Sequence, residues 1–429
     1  MRSFERSQLF LARAEQVITL GSQTFSKSRT QYPWGVSPYF VQRAQGARVW
    51  DLDGNEYIDF VNSLASVTLG YQDEDVTRAV AEQLQHSGVI FSLPHPLECE
   101  VAELICEMVP SAEMVRFGKN GSDATAAAVR LMRAHTGRDH VAVCGYHGWQ
   151  DWYIGSTARN RGVPQATREL THAFAYNDLA SLQALFERYP GQIAGIIMEP
   201  MGATEPQPGF LQAVKDLAHC EGALLTFDET ITGFRFANGG AQAWFGVTPD
   251  LSSFGKGLAN GYPVSAIAGR RDVMKLMEEV FFSFTFGGEA LSLAAAKATL
   301  QKLQREPVIA TLMRRGERLL AGTRAVIEQA GLSDVFAIGG HPAWTFLTIR
   351  DARGASAFEI KTLLMQEQHQ RGILCLGTHN LSYAHTDADI DALVAMYADV
   401  LPLIGRALDA GTLRQQLRCE PLVPLFKVR

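Results

Sequence analysis

Between about residues 70 and 300 the chain alternates short apolar runs with longer stretches whose apolar positions recur every three or four residues. The runs 141–144, 193–198, 223–227, 251–254 and 264–268 have the length of strands buried on both faces, and the stretches between them read as helices. This alternation predicts a mainly parallel sheet covered on both sides. Beyond residue 304 the rhythm changes to a helix over 308–329, a strand over 343–349, a helix over 356–371, a strand over 373–376 and a last helix over 387–406. That tail reads as a smaller α+β domain. Near the start, 48–51 and 56–60 flank Asp53-Gly54, a pair that favours a type I′ hairpin turn and predicts a small N-terminal unit. Leu9, Phe10, Ala12, Val17 and Ile18 lie at helical spacing, so the first 20 residues read as an amphipathic helix. The segment 32–40 carries Pro33, Gly35 and Pro38 and reads as a loop. The divisions are 1–69, 70–304 and 305–429.

Composition narrows the function. With 429 residues the chain exceeds the size at which one core keeps growing, so several subdomains are expected. A net charge of −6 argues against a nucleic-acid partner, which needs a basic surface. No run of 18 apolar residues is present, and charges are spread through the first 20 residues. Neither a membrane partner nor a signal peptide is expected, and a cytoplasmic location is. Six cysteines without a CxxC pair read as reduced thiols, and 11 histidines without ligand spacing predict no metal. No GxGxxG follows an early strand, which argues against a nicotinamide enzyme.

Candidate chemistry sits at strand ends, where open α/β sheets bind ligands. The run 223–227 delivers Asp228 and Glu229, and the run 251–254 delivers Lys256 between Gly255 and Gly257. A lysine able to form a Schiff base and an acid able to pair with a protonated ring nitrogen are the two protein groups that pyridoxal phosphate needs. The same residues also fit a surface lysine and a helix-capping aspartate. Gly121 and Ser122 open a helical stretch with Ala124, Ala127, Ala128, Leu131 and His135 on one face, and so offer amides and a helix dipole to a phosphate. An ordinary cap would look alike. Tyr146, in Gly145-Tyr146-His147-Gly148, could lie on a flat ring, while His147 fits a buried histidine satisfied by backbone groups.

The string DETITGFRFANGGAQAWFGVTPDLSSFGKGLANGYPV, from Asp228 to Val264, followed by Gly269-Arg270-Arg271-Asp272-Val273-Met274, resembles the lysine-bearing segment of class III (fold type I) pyridoxal-phosphate aminotransferases. Within them it is most similar to the glutamate-1-semialdehyde aminomutase group, and the likeness runs from about Trp34 to Asp391. The resemblance implies a large domain with a mainly parallel, seven-stranded-type sheet and a smaller α+β domain built from both chain ends. It implies pyridoxal 5'-phosphate held by Gly121 and Ser122 at its phosphate, Tyr146 on its ring, Asp228 at its ring nitrogen and Lys256 as anchor and general base. Glu199, in an EP pair, is expected nearby. Thr285 is expected to cross a two-fold interface to the partner's cofactor, making a homodimer with shared sites.

The resemblance further implies transfer of an amino group from a donor amino acid to a ketone or aldehyde acceptor. An aminomutase, racemase or decarboxylase on the same scaffold stays open. A catalytically silent cofactor-binding protein is disfavoured by the retention of Lys256 together with Asp228. Four departures stand out. Thr230 replaces the usual valine after the DE pair; Gly287-Gly288-Glu289-Ala290 replaces SGNP. Tyr39 and Phe40 follow Ser37-Pro38 where the aminomutase group places an arginine, and no acid occurs in 377–383 where that group has a glutamate. These last two point to an acceptor without the features of glutamate-1-semialdehyde, such as a sugar or another polar metabolite. Tyr39 and Phe40 would pack on a ring, and His379 and Asn380 would offer neutral hydrogen bonds.

Overall fold

The computed structural model describes residues 2–423 and divides into two compact units, one formed by the chain up to Asp73 and from Ala310 onward, the other by Glu74–Ile309. The expected C-terminal limit, residue 429, lies outside the described residues.

The unit Glu74–Ile309 holds a seven-stranded sheet in the order Met114–Gly118, Ser265–Gly269, Leu251–Phe254, Leu224–Asp228, Ile193–Met198, His140–Cys144, Thr171–Ala173. Ser265–Gly269 runs antiparallel to both its neighbours, and the other pairings are parallel. Ile193–Met198 is buried at every position, because its two faces meet two cores. On one face Ile197 packs with Ala124, Ala128, Leu131 and Met132 of the helix Gly121–Thr136. On the other, Ile196 and Met198 pack with Leu182, Phe186, Phe210 and Val214 of the helices Leu179–Arg188 and Phe210–Cys220. Each of the larger of these side chains contributes about 1.5–3 kcal/mol on burial. Close approach is enforced at Gly195, where a Cβ would stand 2.2 Å from the Met132 sulfur. The helix Gly121–Thr136 ends at Gly137, left-handed at φ 68°, as a C-cap glycine should. His135 is exposed, not part of the buried face, which turns instead through Val129 and Met132.

In the other unit Val41–Gln45, Arg48–Asp51 and Glu56–Asp59 form an antiparallel sheet, and Ile373–Leu374 joins in parallel with Glu56–Asp59. The hairpin therefore does not stand alone. Its turn is not type I′: of Asp53 and Gly54 only the glycine has a positive φ, at 85°. A longer loop is held by the Asp51 carboxylate, which accepts from the amides of Asp53 and Asn55. A second sheet pairs Phe336–His341, Trp344–Ile349 and Thr378–Asn380. The first helix is shorter than its apolar spacing suggests. It spans Glu5–Ala14 and buries Ser7, Leu11 and Ala14, leaving Leu9 and Phe10 exposed. Among the described residues no helix is long and apolar enough to cross a membrane.

Candidate active site

Asp228 is the last residue of Leu224–Asp228, where the strand runs out and its carboxylate leaves the ladder. It is 5% exposed. Oδ1 accepts from the Thr230 amide at 3.1 Å, the Thr230 hydroxyl at 2.6 Å and the Ser253 hydroxyl at 3.0 Å; Oδ2 accepts from His147 Nδ1 at 2.9 Å. Burial pushes this carboxyl up, but the donors, His147 first and Thr230 after it, outweigh burial and hold it below the ordinary carboxylate range. With three donors on one oxygen and one on the other, the lone pair left over is on Oδ2. Ser253 stands there because it is the register partner of Asp228 on the neighbouring strand. That pairing is invisible in the sequence.

Glu229, the next residue, faces the other way and is fully buried. Its oxygens accept from the Thr232 hydroxyl, the amides of Ala241 and Gln242, and the Gln242 side chain. Gly240, at φ 80°, leaves room for it, since a Cβ would lie 2.3 Å from Glu229 Oε2. Burial outweighs these donors and raises this carboxyl. The Gly-Gly-Ala-Gln string is thus a cradle for a structural acid.

The helix Gly121–Thr136 begins with a capping box in which Asp123 accepts from the amides of Lys119 and Asn120. The amides of Gly121 and Ser122 fall at the first two helical positions, which have no partner inside a helix. The Ser122 hydroxyl accepts from the Trp149 amide at 3.3 Å. A Cβ on Gly148 would stand 2.2 Å from that oxygen, so the glycine brings the segment 145–149 onto the helix start. The Thr230 γ-methyl would lie 3.0 Å from a Cβ on Gly121 and 3.4 Å from one on Gly255. Gly121, Thr230 and Gly255 are therefore neighbours, and Lys256 leaves the strand Leu251–Phe254 beside them. Lys256 is half-buried, with φ 43°, a left-handed conformation unfavourable for a side-chain-bearing residue.

Tyr146 is 39% exposed, its ring edge-on to Tyr153. Its amide donates to Glu199 Oε2 at 3.0 Å. Glu199 is buried, and Gly145, at φ 110°, passes so close that a Cβ would stand 2.6 Å from Glu199 Oε2. A cavity of about 610 Å³ opens beside it, lined by Cys144, Gly145, Tyr153, Phe174, Tyr176 and Glu199. His147 is more than a neighbour. Its Nε2 faces the Cys144 carbonyl at 3.2 Å, which orients the ring so that Nδ1 meets Asp228.

Thr285 lies in an exposed turn between exposed Phe284 and Phe286. The replacement of SGNP is absorbed locally. Glu289 caps the helix Ala290–Arg305 through the amides of Leu291 and Ser292 and pairs with Lys119 at 2.9 Å.

In the other unit His379 and Asn380 are buried. His379 is fully buried with Nδ1 on the Thr345 hydroxyl at 2.8 Å and Nε2 on the Tyr397 hydroxyl at 2.7 Å. Asn380 donates its side-chain amide to the Val61 carbonyl. Neither is presented to a substrate, because the strand Thr378–Asn380 carries them into the core. Tyr39 donates to the Pro33 carbonyl and accepts from the Gly35 amide, while Phe40 packs edge-on against Phe10. Tyr39 and Phe40 line a cavity of about 520 Å³ with Tyr57, Tyr71 and Lys27, a cation to which no motif in the sequence points.

The profile of the Aminotransferase class-III family matches residues 31–400. The 3-aminobutyryl-CoA aminotransferase of Cloacimonas acidaminovorans (strain Evry) is 34% identical over 94% of this chain and 98% of its own. The glutamate-1-semialdehyde 2,1-aminomutase of Roseiflexus castenholzii (strain DSM 13941 / HLO8) is 36% identical over 90% and 98%. Among solved structures, the FumI protein of Sphingopyxis sp. MTA144 in its PLP internal aldimine form superposes with a TM-score of 0.87 at 31% identity, covering 97% of this chain and 99% of that one. The strand ends suit such a cofactor. Oδ2 of Asp228 has an acceptor site to spare, and bare glycines flank the Thr230 methyl.

Proposed function

The chain belongs to the class-III aminotransferases, is a pyridoxal-phosphate enzyme of fold type I, and from that premise we propose which of its residues do the work and what it acts on. Bound pyridoxal phosphate supplies a carbonyl for amines and an electron-accepting ring. Lys256 would anchor it through Nζ, and that amine, when free, would hold and move the proton as general base. Asp228 Oδ2 would accept a hydrogen bond from the protonated ring nitrogen and so keep the ring an electron acceptor. An opposite charge in hydrogen-bonding reach favours the protonated ring by about 1.4–4 kcal/mol. Gly121 and Ser122 take the phosphate at the helix start. Tyr146 covers one ring face and the Thr230 methyl the other, while Glu199 fixes the segment bearing Tyr146. Thr285 completes the partner's phosphate site, making the working form a homodimer, and two-fold dimers are the commonest closed assembly. Unpaired cysteines, six in all, fit a cytoplasmic enzyme.

The observation that carries the assignment is the asymmetric loading of Asp228, three donors on Oδ1 and one on Oδ2. A purely structural acid at that depth would have both oxygens fully loaded, as Glu229 does with two donors on each.

For the acceptor, the Ser37-Pro38-Tyr39-Phe40 loop puts aromatic rings where the aminomutase group has its carboxylate-binding arginine. An acceptor with a ring or apolar face suits Tyr39 and Phe40, a keto- or aldehydo-sugar among them. Losing a charge-assisted contact costs about 1.5–3 kcal/mol, or roughly ten- to a hundredfold. A screen of amino donors against carbonyl acceptors, read by the change in cofactor absorbance, tests this. Robust conversion of glutamate-1-semialdehyde to 5-aminolevulinate with no external donor would overturn it in favour of the mutase.

A further inference from the structure

Thr230 occupies a place where the resembling family carries a valine, and its two γ substituents do different things. The methyl borders both Gly121 and Gly255, where a valine methyl would also lie, and the hydroxyl borders Gly121 alone. The hydroxyl donates to Asp228 Oδ1 at 2.6 Å, the shortest of the four contacts to that carboxylate. A valine would leave Oδ1 with the Thr230 amide and the Ser253 hydroxyl alone. The groups facing Asp228 are His147, from the segment after His140–Cys144, and Ser253, from the adjacent strand. Lys256 follows that same strand, and Glu229 is turned away toward 240–242.

We propose that Thr230 is a positioning residue. Its hydroxyl commits Oδ1, so that Oδ2 is the oxygen left for the cofactor's ring nitrogen, and the extra donor makes the carboxylate a weaker acceptor for the ring proton than it would be beside valine. A hydroxyl bound to a carboxylate draws off its negative charge, and at 5% exposure water cannot replace the contact. The ring is thereby held closer to the balance between protonated and neutral, which tunes how strongly it accepts electrons. The inference rests on Asp228 serving the ring nitrogen.

The experiment uses holoenzyme reconstituted with pyridoxal phosphate carrying ¹⁵N in the ring, for the parent, Thr230→Val, Thr230→Ser and Asp228→Asn. The ring-nitrogen resonance is followed across pH 6–10. Thr230→Val, nearly isosteric, should move the midpoint upward by about one pH unit, or at fixed pH move the resonance toward its protonated position. Thr230→Ser, which keeps the hydroxyl, should return the parental value. A Thr230→Val resonance that coincides with the parent's throughout, or a Thr230→Ser resonance displaced as far as that of Thr230→Val, overturns the proposal. If Asp228→Asn also leaves the resonance unmoved, the pairing of Asp228 with the ring has failed, a separate result from failure of the Thr230 role.

Discussion

Asp228 and His379 are both buried polar groups reached by short strands, yet they are built to opposite ends. At the strand ends of the large sheet, Asp228 is surrounded by donors that hold it charged while one oxygen keeps an acceptor site. In the three-stranded sheet, His379 has each ring nitrogen on one hydroxyl and burial drives it to about 3, far below the ordinary histidine value. His385 and His369 are also buried and held near 4, first by burial, though each uses only Nδ1 in a hydrogen bond and leaves Nε2 without one. A polar group whose capacity is spent inside the protein is a structural member. One with capacity left at a strand end is a place for chemistry.

This contrast can be broken from either side. The largest effect belongs to Lys256: Lys256→Ala should reduce turnover on the order of 10⁴-fold or more while leaving the protein folded, as steady-state rates and circular dichroism would show. Next comes the pair of acids. Asp228→Asn should lower kcat/KM by about 100-fold, whereas Glu229→Gln should leave kcat/KM within about threefold and instead cost about 2 kcal/mol of stability in urea titration, because an amide group would face the donors that now meet a carboxylate. Equal sensitivity of turnover to both substitutions would erase the distinction between them.

Mixing Lys256→Ala with Thr285→Asp, each inactive alone, should restore up to about a quarter of parental activity through hybrid dimers. No recovery despite proven subunit exchange would remove Thr285 from the site. The smallest effect lies in the histidine region. A histidine whose folded value is depressed gives stability that is complete above about pH 6.5 and is lost as pH falls toward 4. Each should cost about 0.8 kcal/mol by pH 6, and His385→Gln should remove that share from the pH dependence of thermal unfolding. A stability curve flat from pH 8 to 5 would show these histidines taking up protons in the native state as readily as in the unfolded chain.

Much of this was legible because it is periodic or carried by a long string. The runs 193–198 and 251–254 coincide with strands, and 308–329 coincides with the helix Val308–Gln329. The strand direction of Ser265–Gly269 was not legible, since an apolar run has no arrow. Register was equally hidden, so Ser253 could not be tied to Asp228. The Asp53-Gly54 pair predicts a type I′ turn, but the Asp51 carboxylate organises a longer loop there. His379 and Asn380 looked like ligand groups because their place in the chain follows the family's glutamate, but a three-residue strand turns them into the core. Thr230 was seen to be polar where an apolar residue is usual; that its partner is Asp228 depends on a side-chain rotation no sequence records.

The central claim is that Lys256 holds the cofactor covalently beside Asp228. Reduction of the holoenzyme with borohydride, followed by proteolysis and mass spectrometry, tests it most directly. The account predicts a phosphopyridoxyl group on the peptide containing Lys256, absent from Lys256→Ala. The same adduct found on any other lysine of the parent protein would contradict it.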